Sequence, residues 1–221
     1  EAFPAISEQW QLIIQVISIG SMILGAFAAI VQTNIKRLMA YSSIGHVGYA
    51  LMGLAAGTQA GVQGVLVYLA IYLLMTLGSF LCVLSMQRGD EQIEDIYELA
   101  GLSQTQPRLA ACFAILMFSL AGIPLLAGFF GKLYIFQATI EAELYTLAII
   151  GILTSVVSAY YYLRVVKICY FDAPKAPFTR YGNVATASIL GASAILCSPV
   201  SFLYIGPLLQ TAANAAKSLI G

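Results

Sequence analysis

A chain of 221 residues that is 60% hydrophobic, 9% charged and formally neutral, with mean hydropathy +0.88, falls outside the composition of soluble domains. Neutrality removes the electrostatic basis for nucleic-acid binding. Cys82, Cys112, Cys169 and Cys197 show no paired spacing, which argues against a disulfide framework or metal cluster and makes them small packing residues. The chain opens at Glu1 with no initiator methionine, basic n-region or cleavage site, and is expected to be a piece of a longer membrane protein.

Six apolar segments are long enough to cross a bilayer as helices, near 10–32, 37–57, 61–86, 108–138, 144–170 and 184–208. Two-residue alternation is absent, which excludes a barrel. The expected fold is all-α: a polytopic transmembrane helix bundle of six spans, one of them broken, forming a single domain over residues 1–221. Lys36, Arg37, Arg88, Arg108, Arg164, Lys167, Lys175 and Arg180 collect on one side, and Lys217 alone lies on the other. The basic side is therefore cytoplasmic, or matrix in a mitochondrion.

The second span carries the only histidine, His46. Its distance from Lys36 is roughly 15 Å of helix, which reaches the membrane middle. Ser42, Ser43 and Tyr49 lie at helical spacing around it and can form one polar stripe. Imidazole titrates in the physiological range and can relay a proton through its two nitrogens; a static hydrogen-bonding anchor between helices is the alternative. On the third span Tyr68, Tyr72 and Thr76 repeat every fourth residue. They could support a water chain, with aromatic packing as the plainer role.

Residues 87–107 form the one long polar connection. Ile93, Ile96, Leu99 and Leu102 fall on one helical face, which predicts an amphipathic surface helix over about 91–102. Its acidic face is either solvated or a docking surface for a partner subunit.

The fourth span contains Gly122-Ile123-Pro124 and then Gly128 and Gly131. Pro124 lacks a backbone donor and clashes with the preceding turn, so the helix should kink or unwind between Gly122 and Gly128. Unwound backbone at membrane depth is tolerated only where it is buried in protein or lines a wet cavity, and interrupted helices recur in transporters. Lys132 follows within the same apolar run, about nine residues before Glu141, or roughly 13 Å of helix. A cation there costs on the order of 3 kcal/mol and marks an ion or proton pathway; a snorkelling or structurally paired lysine is the plain alternative. Desolvation penalises the ammonium form, so such a lysine can load and release a proton, whereas arginine stays charged. Tyr160, Tyr161 and Tyr162, just before Arg164 and Lys167, read as interfacial anchors.

The run Asn34-Ile35-Lys36-Arg37-Leu38-Met39-Ala40-Tyr41-Ser42-Ser43-Ile44-Gly45-His46-Val47-Gly48-Tyr49 resembles the signature of the antiporter-like subunits of respiratory complex I. So does Ser119-Leu120-Ala121-Gly122-Ile123-Pro124-Leu125-Leu126-Ala127-Gly128-Phe129-Phe130-Gly131-Lys132. Within that group, the stretches from Gly128 to Lys132 and from Tyr160 to Lys167 match one subunit type most closely. The resemblance implies a protein of fourteen transmembrane helices with two inverted five-helix repeats, each with a broken helix and half-channel. This chain would hold the second repeat and the final helix. Lys132 would match the broken-helix lysine that exchanges protons with the outward side, and His46 a histidine of the polar axis along the membrane arm.

The implied role is a non-redox, proton-translocating subunit in a bacterial inner membrane, coupled electrostatically to quinone reduction. NADH, FMN, Fe–S clusters and quinone would be handled by other subunits. No Gly-rich nucleotide loop, flavin motif or Fe–S cysteine spacing occurs here, and no cofactor is expected in this chain. Expected partners are other membrane-arm subunits, the lipid bilayer, protons and internal water, and not nucleic acid. The glutamate and lysine pair of the family's first repeat are missing, so this piece is at most half a pump. The competing readings are a subunit of a multi-subunit cation/proton antiporter and a structural membrane-arm subunit.

Overall fold

The computed structural model describes residues 7–179 and 183–220. Helices dominate: α1 (Ser7–Ile30), α2 (Ile35–Ala55), α3 (Gln59–Leu84), a one-turn α4 (Leu102–Thr105), α5 (Pro107–Ala121), α6 (Ala127–Glu141), α7 (Tyr145–Phe171), α8 (Val184–Cys197) and α9 (Ser201–Ile220). Side-chain caps mark several starts. Asn34, Thr58 and Asn183 accept from the backbone N–H groups of Arg37, Gly61 and Thr186, and Pro107 opens α5 where its missing donor costs nothing.

Trp10–Ile30, Gln59–Leu84 and Tyr145–Phe171 are each long and apolar enough to cross a membrane, and the bent pair α8–α9 meets that test together. These helices keep apolar side chains on the outside, among them Val16, Leu73 and Val156, while the hydroxyls of Ser18, Ser79, Thr154 and Ser158 are buried. Small residues let α1 and α2 touch: a Cβ on Gly25 would collide with the backbone of Gly45, and Ser18 Oγ donates to the Gly48 carbonyl at 2.7 Å.

The span over 108–138, expected to break between Gly122 and Gly128, is two helices, α5 and α6, joined through residues 122–126. Two sequence expectations change. The span expected over 184–208 is two helices that meet at 82°. Ser198 is extended because it precedes Pro199, so α8 stops and α9 starts afresh. Residues 91–102 form no continuous helix. Gln87–Arg88 and Glu91–Gln92 pair as a small hairpin, β1–β2, turned at Gly89. The chain then stays extended because α2 captures it: Ile35 N–H donates to Glu94 O and Ile96 N–H to Thr33 O. Only Ile96–Leu99 coils, as a 3-10 turn capped by Asp95. Ile96, Leu99 and Leu102 are nevertheless buried, because 3-10 and α spacing put the same residues on one side.

The acidic residues of this connection serve as internal staples. Glu94 accepts from Lys36 Nζ at 2.7 Å and Asn34 Nδ2 at 2.6 Å. Glu98 bridges Lys175 and Arg88, each at 2.6 Å. These hydrogen bonds hold both carboxyls below their ordinary range, led by Lys36 for Glu94 and by Lys175 for Glu98. Lys36, Arg88, Arg164 and Lys175 thus gather where α2 begins and α3 and α7 end. Arg180 lies outside the described residues.

Candidate functional site

The site begins with how α5 ends. Gly122 takes the left-handed conformation, φ +84°, which a Cβ would oppose. Its N–H donates to Ser119 O at 3.0 Å and that of Ile123 to Phe118 O at 3.1 Å, a Schellman closure. This pattern satisfies the carbonyls of Phe118 and Ser119 and leaves those of Leu120 and Ala121 without backbone donors. Pro124 sits exposed in the turn beyond. Leu125 is held at φ +79°, a strained conformation for a leucine that costs about 1–3 kcal/mol.

The two half-helices lock together at Ser119, whose Oγ accepts from Gly128 N–H at 3.0 Å and whose hydroxyl donates to Met75 Sδ at 3.1 Å. Gly128 cannot carry a side chain, because a Cβ would overlap the Ser119 carbonyl. That close approach aims Lys132, in the second turn of α6, back at the end of α5. Its Nζ donates to Leu120 O at 3.2 Å, to Ala121 O at 3.3 Å and to Ser155 Oγ on α7 at 2.9 Å. The orphan carbonyls and the negative end of the α5 dipole thus receive the cation. Tyr49 presents its ring face to Nζ, 5.0 Å from the ring centroid. Lys132 is 6% exposed, and among the described residues it has no carboxylate partner.

His46 lies beside it on α2, 3% exposed. Both ring nitrogens are engaged: Nδ1 shares a hydrogen bond with Tyr68 Oη at 2.6 Å, and Nε2 shares one with Tyr162 Oη at 2.9 Å. Tyr162 in turn is hydrogen-bonded to Ser42 Oγ. Tyr72 stacks on the imidazole with ring centroids 4.7 Å apart, and Tyr49 meets it edge-on at 6.1 Å. Tyr49 Oη reaches Thr154 Oγ1 at 3.3 Å. The result is an unbroken series from Tyr68 through His46 and Tyr162 to Ser42, made of groups that both donate and accept protons. It runs toward the basic surface at the start of α2.

The structure thus brings Lys132, His46, Ser42, Tyr49, Tyr68 and Tyr72 together and places Gly122 against the lysine. Ser43 is not among them: one residue on from Ser42, it turns away and donates to Met39 O. The buried hydroxyl of Thr76 has no protein partner. Tyr162 and Ser155 were not anticipated. Tyr160 is exposed, as an interfacial anchor would be, but Tyr161 and Tyr162 are fully buried. The only available signal was that three consecutive helical tyrosines point in three directions, so one of them must face inward.

Apolar helices closed around a polar interior, one of them interrupted beside a buried lysine, define an integral membrane protein with an internal ionisable axis. The chain belongs to the NADH:quinone oxidoreductase/Mrp antiporter transmembrane family, which matches over residues 2–158. It is 54% identical over 219 residues to a Parvibaculum lavamentivorans protein named NADH-quinone oxidoreductase subunit N, covering 99% of this chain and 45% of that protein. It is 57% identical over 216 residues to a Rhizobium meliloti protein named NADH-quinone oxidoreductase subunit N 1, covering 97% and 44%. The chain therefore spans about half the length of the curated relatives it matches. Among solved structures, a chain of respiratory complex I from Thermus thermophilus with bound Aureothin superposes with TM-score 0.78 at 33% identity, over 89% of this chain and 44% of that one. A chain of the Mrp complex from Dietzia sp. DQ12-45-1b superposes with TM-score 0.82 over 94% and 47%, and at 19% identity it shares the fold.

Proposed function

We propose that this chain is the proton-translocating second half of a non-redox membrane subunit of NADH:quinone oxidoreductase in a bacterial inner membrane. It packs against other membrane-arm subunits, and the redox cofactors lie elsewhere in the complex. The chain crosses the bilayer six times: α1, α2, α3, the broken α5–α6, α7, and α8–α9 together. Its basic side, marked by Lys36, Arg88, Arg164 and Lys175, faces the cytoplasm.

In this reading Lys132 alternates between ammonium and amine as charge or hydration changes along the membrane arm, and exchanges its proton with the outward side. The series Tyr68–His46–Tyr162–Ser42 carries protons between the lysine's surroundings and the inward face. The observation that carries the reading is the coordination of Lys132 Nζ by two carbonyls and a hydroxyl, with no carboxylate. Neutral dipoles support the charged lysine yet leave no stranded anion when the proton departs.

The test is Lys132→Met in the full-length protein within its assembled complex. Assembly persists and proton translocation through this half falls by roughly tenfold or more, the scale of losing a proton-transfer group. Wild-type pumping by Lys132→Met would make the chain a structural subunit. Sodium-dependent exchange without NADH would move it to the multi-subunit antiporters that share the family.

A further inference from the structure

We infer that Ser155 is a proton-transfer partner of Lys132, the hydroxyl through which the lysine passes its proton on; this rests on the reading of Lys132 above. An ammonium has three N–H donors, and Lys132 Nζ meets three acceptors: Leu120 O, Ala121 O and Ser155 Oγ. Deprotonation changes the demand to two donors and one lone pair. A backbone carbonyl can only accept, and those of Leu120 and Ala121 are fixed by the closure at Gly122. A hydroxyl can rotate and donate. Ser155 is thus the only one of the three that can serve both charge states.

Position supports the same assignment. The contacts from Nζ to the two carbonyls are buried, whereas the contact to Ser155 is only partly so, and Ser155 opens the site on the α7 side. No carboxylate nearby offers a competing base among the described residues. The helices packed against α6 are α2, α3, α5, α7, α8 and α9, and none contains an aspartate or glutamate. The titratable groups around the lysine are His46 and Tyr49 from α2, Tyr68 from α3 beside Gly131, Cys197 at the end of α8, and Tyr161 and Tyr162 from α7.

The step balances simply. The Nζ–H bond breaks as an Oγ–H bond forms, while the serine's original O–H gives its proton to a water molecule on the open side. Lysine becomes a neutral amine, serine is unchanged, and the newly formed O–H donates to the Nζ lone pair. The reverse sequence reloads the lysine.

The experiment compares Ser155→Ala, Ser155→Thr and Lys132→Met in the full-length protein within the assembled complex, measuring protons translocated per NADH across a pH series. Ser155→Ala should assemble yet translocate about tenfold fewer protons per NADH, with a displaced pH profile. Ser155→Thr, which keeps the hydroxyl, should restore both. Wild-type pumping and pH profile in Ser155→Ala, with Lys132→Met defective, would overturn the role of Ser155 and leave the lysine reading standing. A loss confined to the amount of assembled complex would overturn it too, since it makes the serine a packing residue. Normal pumping by Lys132→Met would remove the reading on which the inference rests.

Discussion

Two lysines in this protein face opposite electrostatic settings. Lys36, at the start of α2, lies 2.7 Å from a Glu94 oxygen with its side chain 39% exposed. Lys132, in the interior, is 6% exposed and rests on two helix-end carbonyls and a hydroxyl. A carboxylate answers the charge of Lys36, whereas two carbonyls and a hydroxyl answer that of Lys132. In the function proposed above, the same residue type is a staple in one place and a switch in the other, according to whether an anion or a dipole answers it.

The sharpest break of this comparison is to remove each amine in turn. Lys132→Met should lower proton translocation by roughly tenfold or more, whereas Lys36→Met should leave pumping per complex unchanged and lower stability by about 1 kcal/mol or less. Parallel vesicle assays and thermal unfolding of the two variants check this. Equal pumping would erase the distinction.

A smaller effect sharpens it on the histidine side. Tyr162→Phe keeps the ring and deletes the hydroxyl between His46 Nε2 and Ser42, so proton delivery should slow by about threefold to tenfold, the scale of one hydrogen bond of ~1 kcal/mol. Lysine-site geometry and assembly should stay as in the wild type. Stopped-flow proton uptake is the measurement, and a wild-type rate would take Tyr162 out of the relay.

The smallest effect belongs to the surface network. Glu98→Gln should cost about 1 kcal/mol at neutral pH, because Lys175 and Arg88 both lean on that carboxylate. Its folded-state pKa lies below the ordinary 4.5, so the contribution is fully present above that value and lost as pH falls through the lower folded one. The melting-temperature gap between wild type and Glu98→Gln should therefore close on acidification. A gap that persists would mean the carboxylate acts through packing.

Much of the lysine site was legible in the sequence, because its signals are local. One charge in a long apolar run, with Gly122-Ile123-Pro124 ten residues before it, gives both the break and the cation. His46 was legible as the lone imidazole on a polar face. Its partner Tyr162 was not: it comes from α7, more than a hundred residues along the chain from His46, as Ser155 reaches Lys132 from the same helix, and no spacing rule reaches across helices. The charged residues of Tyr160–Lys167 drew that whole run to the interface, although helical geometry sends Tyr162 inward and Tyr160 outward. The hairpin at 87–92 was hidden because Ile96, Leu99 and Leu102 suit a helix and a 3-10 turn alike. What decided the matter was capture of residues 94–96 by the start of α2, a tertiary contact. The elbow before α9 had a local cause in Ser198-Pro199, masked by the apolar residues on either side.

The central claim is that the amine of Lys132 changes its charge during turnover. Infrared difference spectroscopy on the full complex with isotope-labelled lysine, recorded between resting and quinone-reducing states, observes this directly. An ammonium band that shifts with the label, appears and disappears on cycling, and is missing in Lys132→Met is the predicted result. Labelled ammonium bands that remain constant through turnover in the wild-type complex would contradict it.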